Sequence, residues 1–379
     1  NRYSSNMAPA SRVMHIISSL SHGGAEKLAL ELAKLQVQKG MSVSIAYINS
    51  AENGFGNPET ESNFQELCSS LGISTFPLDE KSYFSYWVTR TVNLRKAIRT
   101  ANPEILHVHL GRGLMLMLLG NVRIPAVMTI HSVNVGFPNI LFKVFKLLRI
   151  KYVAVGTAIK EIFEPLIQAP VDLIFNGIDL RKFPHRVIPQ NQISEPFQFV
   201  AVGRVLPPKN YPMLIDAVKN LVRMPDALST KWIVNVAGDG PLLEEMRNLV
   251  KSSDMSEHIN FLGSCNDVPA FLKNADVFIM TSHYEGMPMA MLEAMSTGLP
   301  IVSTDFQGIS DVVIHEDSAL ISEVDDAVAF AENMLRIMQS ESLRTNIAKK
   351  AQLNSNNFSI ELTNEKYMNL YSELRSVKK

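Results

Sequence analysis

The chain has 379 residues, which suffices for two domains with sizeable cores, and its formal net charge of −1 gives no support to nucleic-acid binding. Only Cys68 and Cys265 are present, far apart, so a disulfide framework is disfavoured and a reducing compartment is expected. No apolar run reaches the length of a membrane span, and residues 1–11 lack the apolar core of a signal peptide. A soluble, cytoplasmic protein is therefore expected.

The first half alternates short apolar runs with helical segments, a pattern that predicts parallel strands joined by helices. The predicted strands are 13–17, 43–48, 73–76, 105–109, 125–130, 152–157 and 171–174, and the predicted helices are 25–39, 64–71, 92–100 and 158–166. Residues 51–65 are polar and glycine-rich, which predicts a mobile loop. No G-x-G-x-x-G follows the first strand, so a nicotinamide or flavin site is poorly supported.

The second half repeats this alternation after a polar, proline-rich stretch at 184–197, which is typical of an interdomain linker. We therefore expect domains at 12–185 and 186–358. The predicted strands of the second domain are 198–202, 232–237, 258–263, 277–280 and 301–303. The predicted helices are 267–274, 289–295 and a terminal one at 358–376.

Two carboxylates frame the segment between the last two of these strands. Glu285 follows a strand, and Glu293 lies eight residues later, roughly 12 Å along a helix. That separation is too long for an acid/base pair but suits opposite ends of one elongated ligand. The helix start, with Pro288 at its first position, is expected to offer an anion the free N–H groups of Gly286, Met287 and Met289. These features describe a nucleotide sugar, although a solvated Glu285 and an ordinary helical Glu293 remain an alternative.

The stretch from Ser282 to Thr304 resembles the E-x7-E signature of retaining glycosyltransferases of family 4, also called group 1. The resemblance implies the α/β GT-B fold, with two Rossmann-like domains facing each other across a cleft. By this likeness 12–185 binds the acceptor, 186–358 binds the donor, and 359–379 crosses back to the first domain. It also implies that Glu285 contacts the hydroxyls of the donor sugar and Glu293 the ribose.

Further motifs carry the same resemblance. The G-R-x-x-x-x-K-N match at 203–210 implies that Arg204 and Lys209 hold the donor diphosphate, whose charge grows as it departs. His131, in T-I-H-S, corresponds to the family's histidine at the donor sugar. The other donor-binding positions implied are Gly23 and Gly24 in GGAE, Gly203, Asn210, Gly238 and Gly240 in G-D-G-P, and Ser264 after F-L-G. From the residues alone, tight turns suffice for the glycines and a satisfied polar group for His131.

The absence of metal signals is consistent with this family. No D-x-D triplet occurs and no third ligand is expected near His107-x-His109, so neither a metal nor a cofactor is predicted. The family resemblance implies that this pair is structural or lies close to the acceptor. The pair Arg204 and Lys209 would replace a divalent cation. No obvious carboxylate stands where a nucleophile should be, so the likeness implies front-face transfer with retention. Gln307 and Asp311 depart from the family's D-x-G-G-x-x-E.

The resulting hypothesis is a retaining glycosyltransferase that uses a nucleotide-diphosphate sugar, with UDP favoured, and a glycan or lipid-linked acceptor in bacterial surface polysaccharide or glycolipid assembly. A nucleotide-sugar epimerase and a catalytically silent sugar-nucleotide-binding scaffold are the alternatives. Residues 137–151 are basic and strongly apolar, which predicts a helix that either lies on an anionic membrane at the inner face of the plasma membrane or is buried with snorkelling lysines.

Overall fold

The computed structural model describes residues 11–20, 23–53, 57–79, 85–132, 141–185 and 195–376. The chain divides into two units, Asn1–Gly177 with Ile360–Lys379 and Ile178–Ser359. The division falls at Gly177, within the N-G-I-D turn. It therefore precedes the proline-rich stretch at 184–197, where the sequence predicts the boundary between the domains. Most of that stretch, 186–194, lies outside the described residues.

The first unit is built on a seven-stranded sheet in the order β3-β2-β1-β4-β5-β6-β7, with every pairing parallel. Its strands are β1 (Arg12–Ile17), β2 (Ser42–Tyr47), β3 (Ser74–Pro77), β4 (Ile105–Val108), β5 (Ala126–Ile130), β6 (Ile150–Ala154) and β7 (Val171–Leu173). Buried parallel strands are apolar along their whole length, and β4 and β5 are buried at every position. In this register His15 of β1 lies beside His107 of β4.

The helices of the first unit include one that the sequence does not predict. They are α1 (Gly24–Gln38), α2 (Pro58–Ser70), α3 (Tyr86–Ala101), α4 (Gly111–Leu119), α5 (Leu141–Phe145) and α6 (Thr157–Ile167). The loop predicted at 51–65 is wrong for its second part, because α2 begins at Pro58. Asn57 caps that helix by accepting from the N–H groups of Glu59 and Thr60, a start signal hidden by the polar composition. The helix α4 is absent from the predictions because two glycines mask its start.

The basic helix predicted at 137–151 is also wrong in extent. Residues 137–140 lie outside the described residues, and the helix that follows, α5, ends at Phe145. Ile150 already pairs with Ala126 in the sheet, so a continuous helix is impossible there. Phe142 and Phe145 are fully buried, whereas Val144 and Leu147 are exposed. None of the helices in the described ranges is long and apolar enough to cross a bilayer.

The second unit repeats the architecture with six parallel strands in the order β10-β9-β8-β11-β12-β13. The strands are β8 (Phe197–Val202), β9 (Trp232–Ala237), β10 (Ile259–Gly263), β11 (Val277–Met280), β12 (Ile301–Thr304) and β13 (Leu320–Ser322). The helices are α7 (Tyr211–Val222), α8 (Leu243–Ser252), α9 (Val268–Lys273), α10 (Met289–Thr297), α11 (Ala327–Gln339) and α12 (Glu341–Ser355). Its core packs β8, β9 and β11 against α7 and α11.

The terminal helix α13 (Ile360–Ser376) returns to the first unit, as the family resemblance implies. It packs beside α1, and its Tyr367 and Tyr371 are fully buried in that unit's core. Their hydroxyls reach polar groups on the sheet, Thr129 and His107 respectively. The strand order reverses between β1 and β4 in the first unit and between β8 and β11 in the second. Ligands of open parallel sheets bind outside the carboxyl ends of strands at such switch points.

Candidate functional site

An ion pair marks the switch point of the second unit. Lys209 follows β8 and Glu285 follows β11, and Lys209 Nζ lies 2.6 Å from Glu285 Oε1. Both side chains are largely buried, with 20% and 14% of their surfaces exposed. The structure therefore brings together two residues that are 76 positions apart in sequence and that the family motifs single out separately.

The carboxylate of Glu285 is held by more than the lysine. Ser282 Oγ donates to the same oxygen, Oε1, at 2.6 Å. The loop that carries both residues is fixed in turn, because Thr304 Oγ1 donates to the carbonyl oxygen of Ser282 at 2.7 Å. Tyr284 forms a backbone bridge with Gln307, one of the two positions that depart from the family pattern. Within the described ranges no hydrogen bond to Oε2 is found, so that oxygen is the one available to a ligand.

The backbone that presents Lys209 is fixed by a group that sequence reasoning missed. Thr281 Oγ1 donates to the carbonyl oxygen of Lys209, and Asn210, in the left-handed conformation, donates from Nδ2 to Asp325. Asp325 also accepts from His283 Nε2 at 2.9 Å. The hydrogen bonds from His283 and then Asn210 hold the pKa of Asp325 below its usual value. Asp325 lies 115 positions from Asn210, and no local motif marks it.

Two glycines allow the loops after β8 and β9 to pack backbone against backbone. A Cβ on Gly238 would lie 1.8 Å from the carbonyl oxygen of Gly203, and one on Gly240 would lie 2.4 Å from that of Val205. Any side chain at either position would therefore push the two loops apart. The G-D-G-P motif is thus explained by close approach of two backbones beside Lys209.

The start of α10 differs in detail from the sequence reading. Pro288 is the capping residue rather than the first helical one, and the N–H of Met289 donates to the carbonyl oxygen of Met287 at 2.9 Å, so it is not free for an anion. Glu293 lies within α10 and is nearly buried, at 9% exposure. Arg204 and Ser264 are exposed at the ends of β8 and β10, where Arg204 follows Gly203 directly.

In the first unit, a cluster of four histidines lies on the face of the sheet covered by α1 and α13. His15 Nδ1 lies 3.0 Å from His109 Nε2, and His109 Nδ1 lies 3.2 Å from His131 Nε2. His107 lies against the face of His109, with ring centroids 4.1 Å apart. His131, the residue implied at the donor sugar, is only partly buried and thus ends a connected series whose other rings are buried. The separation in sequence hid this cluster, since only His107-x-His109 is visible locally.

Burial decides the protonation of this cluster. Loss of solvent lowers the pKa of His15 and of His131 to about 4, and for His15 a hydrogen bond with Gln36 opposes the shift. The pKa of His107 and that of His109 also lie well below the usual value, first through burial and then through neighbouring histidines. All four rings are therefore neutral near pH 7.

The same cluster corrects the expectation that no third ligand lies near His107 and His109. Ring nitrogens of His15, His107 and His109 lie within 4.8 Å of one another, a spacing that a metal ion could use. Each of these nitrogens already has a hydrogen-bond partner: Gln36 and His109 for His15, Tyr371 and Thr129 for His107, and His15 and His131 for His109. The geometry is that of a closed hydrogen-bond network.

The glycine pair of the first unit lies at the entry to α1. Gly23 is the capping residue and Gly24 the first helical residue, and Glu26 lies in the first turn. A Cβ on Gly23 would meet the carboxylate of Glu26 at 2.1 Å. This turn follows β1, so it lies at the carboxyl end of a strand beside the switch point of this sheet.

Comparison with known families matches both units. Residues 22–182 match the model described as Glycosyltransferase Family 4, and residues 186–354 match the model described as Glycosyl transferases group 1. The chain is 31% identical over 231 residues to UDP-Gal:alpha-D-GlcNAc-diphosphoundecaprenol alpha-1,3-galactosyltransferase of Escherichia coli, an alignment that spans 57% of each protein.

Two further comparisons cover nearly the whole chain. It is 22% identical over 374 residues to GalNAc-alpha-(1->4)-GalNAc-alpha-(1->3)-diNAcBac-PP-undecaprenol alpha-1,4-N-acetyl-D-galactosaminyltransferase of Campylobacter jejuni, covering 96% of this chain and 99% of that one. The crystal structure of Anabaena Alr3699/HepE in complex with UDP and glucose superimposes with a TM-score of 0.78 at 18% identity, covering 96% and 99%. With both units matched and this fold shared, the chain belongs to the family 4, group 1 glycosyltransferases of the GT-B fold.

Proposed function

We propose that the chain transfers a sugar, with retention and without a metal, from a nucleotide-diphosphate sugar to a glycan or lipid-linked acceptor. UDP is the favoured nucleotide, because the Escherichia coli relative is named for UDP-Gal and the Anabaena neighbour was crystallised with UDP and glucose. Both curated relatives are named for acceptors on undecaprenol diphosphate. We place the reaction in bacterial surface polysaccharide or glycolipid assembly, at the inner face of the plasma membrane.

The observation that carries this proposal is the pair of Lys209 and Glu285, 2.6 Å apart at the switch point of the second sheet. A diphosphate can replace the carboxylate as the partner of Lys209, and the carboxylate then accepts hydrogen bonds from sugar hydroxyls. Arg204, exposed on the adjoining turn, supplies the second cation. Two fixed cations stabilise the charge that develops on the departing nucleoside diphosphate.

The proposed chemistry keeps the configuration of the sugar. The bond between the anomeric carbon and the diphosphate breaks, and the acceptor oxygen bonds to that carbon on the same face. The acceptor proton passes to the departing phosphate, so no enzyme carboxylate forms a covalent bond. The cations Arg204 and Lys209 take the place of a divalent ion, consistent with the absence of a D-x-D triplet from the sequence.

The remaining roles follow from the family resemblance. We propose that His131 contacts the donor sugar, that Glu293 contacts the ribose, and that Ser264 lies near the base. The glycine turns at Gly23, Gly24, Gly238 and Gly240 bring backbone close to the donor. The N–H groups of Gly286 and Met287, and no longer that of Met289, remain candidates for an anion.

A binding panel tests the proposal. Calorimetry and thermal shift would compare UDP-glucose, UDP-galactose, their N-acetylhexosamine counterparts, GDP-mannose and ADP-glucose, each with and without EDTA. A ligand at one hundred times its Kd raises the free energy of unfolding by about 2.7 kcal/mol. We expect a UDP-sugar to bind in EDTA and the substitutions Lys209→Ala, Arg204→Ala and Glu285→Ala to weaken it at least tenfold. The matched control is Lys219→Ala, because Lys219 pairs with Asp216 on an exposed face of α7.

The same panel separates the alternatives. Binding of no sugar nucleotide by the wild type, or equal loss in the Lys219→Ala control, would contradict the assigned donor site. Tight binding without donor hydrolysis or transfer would support the silent scaffold, which the departures at Gln307 and Asp311 suggest. Release of an epimerised nucleotide sugar would support the epimerase. A requirement for a divalent ion would overturn the metal-independent mechanism.

We also propose that the first unit meets an anionic membrane surface near α5. Val144 and Leu147 are 37% and 68% exposed, and the exposed lysines Lys143 and Lys146 lie beside them. Arg149 is excluded from this surface because it donates to the carbonyl oxygen of Leu374 in α13. Exposed apolar groups with adjacent cations are the features that bind anionic bilayers.

Vesicle co-sedimentation tests that surface. The double substitution Lys143→Glu and Lys146→Glu should abolish binding to phosphatidylglycerol vesicles. The control Lys251→Glu and Lys273→Glu makes the same change in net charge at exposed positions of the second unit and should retain binding. Equal binding by both double variants would contradict the proposal.

A further inference from the structure

The sequence motif His107-x-His109 and the buried His15 are not used by the proposed reaction, yet they connect to His131. A row of hydrogen bonds runs from Gln36 on α1 to His15 on β1, then to His109 after β4 and His131 after β5. The contacts are 2.9 Å from Gln36 Oε1 to His15 Nε2, 3.0 Å from His15 Nδ1 to His109 Nε2, and 3.2 Å from His109 Nδ1 to His131 Nε2.

The orientation of the rings suits hydrogen bonds rather than stacking along this row. The planes of His15 and His109 are inclined by 22°, and those of His109 and His131 by 20°, with centroids 5.3 and 5.4 Å apart. At these separations nearly coplanar rings meet nitrogen to nitrogen, so an N–H of one points at the lone pair of the next. The row of hydrogen bonds therefore runs without a break from β1 to the residues that follow β4 and β5.

Neutral rings make such a row directional. Burial keeps His15, His109 and His131 uncharged, so each ring carries one N–H and one bare nitrogen. Once the proton of the first ring is placed, each later ring has only one tautomer that keeps the hydrogen bond. The N–H donors of such a neutral row can therefore point in only two directions along it, and the group at its buried end selects one of them.

Gln36 is that group. Its amide oxygen faces His15 Nε2, and its amide nitrogen faces the hydroxyl oxygen of Tyr371. The oxygen can only accept, so His15 carries its proton on Nε2 and leaves Nδ1 bare. His109 then donates from Nε2 and His131 donates from Nε2, which leaves Nδ1 of His131 bare. Gln36 is fully buried, so water does not compete for either end of its amide.

A second arm agrees with this assignment. Tyr371 accepts from the amide of Gln36 and donates to His107 Nδ1 at 2.6 Å. His107 then carries its proton on Nε2 and donates to Thr129 Oγ1 at 2.8 Å. Thr129 then donates its hydroxyl hydrogen bond to the hydroxyl oxygen of Tyr367, 2.9 Å away. Both arms start at one amide, and α13 closes the second.

We infer that Gln36, His15 and His109 are positioning residues that hold His131 in the Nε2–H tautomer, so that its Nδ1 accepts a hydrogen bond from a ligand hydroxyl. Among the described residues no partner for Nδ1 of His131 is found, and the side chain is only partly buried. The ligand class is therefore a hydroxyl donor and not a carbonyl, carboxylate or phosphate. The identification of that hydroxyl with one of the donor sugar rests on the proposed function.

The test measures tautomers directly in the protein without ligand. Long-range proton–nitrogen NMR of protein labelled with 15N-histidine distinguishes a protonated ring nitrogen from a bare one, and single His→Asn variants assign the signals. We expect His15, His109 and His131 each to show a protonated Nε2 and a bare Nδ1 at pH 7.5. A protonated Nδ1 on His131 would overturn the proposal.

The substitution Gln36→Leu tests whether the amide sets the direction. It should give His131 a mixture of both tautomers, and kcat/KM for transfer should fall about threefold to tenfold, the worth of one neutral hydrogen bond. Gln65→Leu is the matched control, because Gln65 lies on α2 of the same unit and bonds Tyr47 instead. It should leave the His131 signals unchanged. An unchanged His131 tautomer in Gln36→Leu would also overturn the proposal.

Two further observations distinguish a failure of this proposal from a failure of the proposed function. If EDTA removes a bound divalent metal and the His15 and His109 signals change as a result, those residues are metal ligands and the hydrogen-bond row is contradicted. The tautomer measurement needs no sugar nucleotide, so a failed donor panel would leave it intact. Conversely, a reversed tautomer would leave the proposed donor site at Lys209 and Glu285 untouched.

Discussion

The two units share one architecture and treat polar groups in opposite ways. In the second unit the polar residues are charged, and they lie in loops at strand ends, where Lys209 and Glu285 pair. In the first unit the polar residues on the face of the sheet under α1 and α13 are neutral, and there four histidines bond one another and α13, while a buried ion pair between Arg90 and Asp79 lies elsewhere in the unit. An unpaired buried charge costs far more than a buried neutral group with a partner, so the sheet interior admits imidazoles and the loops carry the ions.

The largest effect expected from this contrast is a response to acid. His15 has a pKa of about 4 in the folded chain against about 6.5 when unfolded, so the unfolded state alone takes up its proton between these values. The free energy of unfolding is therefore not reduced by His15 above pH 6.5, and it falls as the pH falls towards 4. From pH 7.5 to 5 the loss is about 2 kcal/mol for His15 alone, and His107, His109 and His131 add to it.

Tryptophan fluorescence can locate that loss. The chain has two tryptophans, Trp87 in the first unit and Trp232 in the second, so Trp232→Phe and Trp87→Phe each leave a reporter in one unit. Urea unfolding at pH 7.5 and pH 5 should show a much larger fall in the midpoint for the first unit. Equal falls in the urea midpoint for both units would contradict the contrast between the neutral histidines of the first unit and the charged loops of the second.

The next effect concerns the charged pair. Lys209→Met keeps most of the side-chain volume and removes the cation, so in the proposed function the departing diphosphate loses one of its two fixed charges. We expect kcat to fall by about 10²- to 10³-fold, the loss measured when one preorganised donor is removed from a charge-stabilising site. Steady-state kinetics would measure it against Lys219→Met, which removes an exposed lysine from α7 and should retain full activity. A fall of less than threefold would mean that Lys209 does not meet the developing charge.

A third effect tests whether glycines build the charged site. Gly238→Ala places a methyl group 1.8 Å from the carbonyl oxygen of Gly203, so the loops after β8 and β9 must separate. We expect a loss of about 2–4 kcal/mol in the free energy of unfolding, from overpacking and backbone strain together. Gly263→Ala is the control, because its φ is also positive but its nearest neighbour is an arginine side chain at 3.5 Å. That variant should lose only about 1 kcal/mol in urea unfolding, and similar losses in the two variants would argue against close packing of the loops.

The difference between the units also explains what the sequence could predict. The residues of the second site lie in contiguous motifs, since a glycine or a lysine is required at a fixed place in one turn, and Lys209 and Glu285 were both identified from them. The strands of both sheets except β13 were predicted because buried parallel strands are continuously apolar, whereas β13 has only three residues, too few to show that pattern. His15 and Gln36 carry no local signal, because the partners of His15 lie on α1 and after β4, and those of Gln36 lie on β1 and α13, all distant in sequence. Asp325 was missed because its partner Asn210 is distant in sequence. The start of α2 was missed because the composition of that segment is polar.

The smallest effect concerns Ser282, which supports Glu285 without charge. Its hydroxyl donates to Oε1 at 2.6 Å, the same oxygen that Lys209 contacts, so Ser282→Ala leaves the ion pair but loosens the carboxylate. We expect about 1 kcal/mol, or a fivefold to tenfold fall in kcat/KM, because one hydrogen bond to a charged group is lost while its charged partner remains. Ser303→Ala is the control, since its buried hydroxyl donates to the carbonyl oxygen of Thr304, in its own strand, rather than to the carboxylate. If Ser282→Ala matches Lys209→Met in severity, the carboxylate is held mainly by neutral hydrogen bonds, and the distinction drawn between the two units weakens.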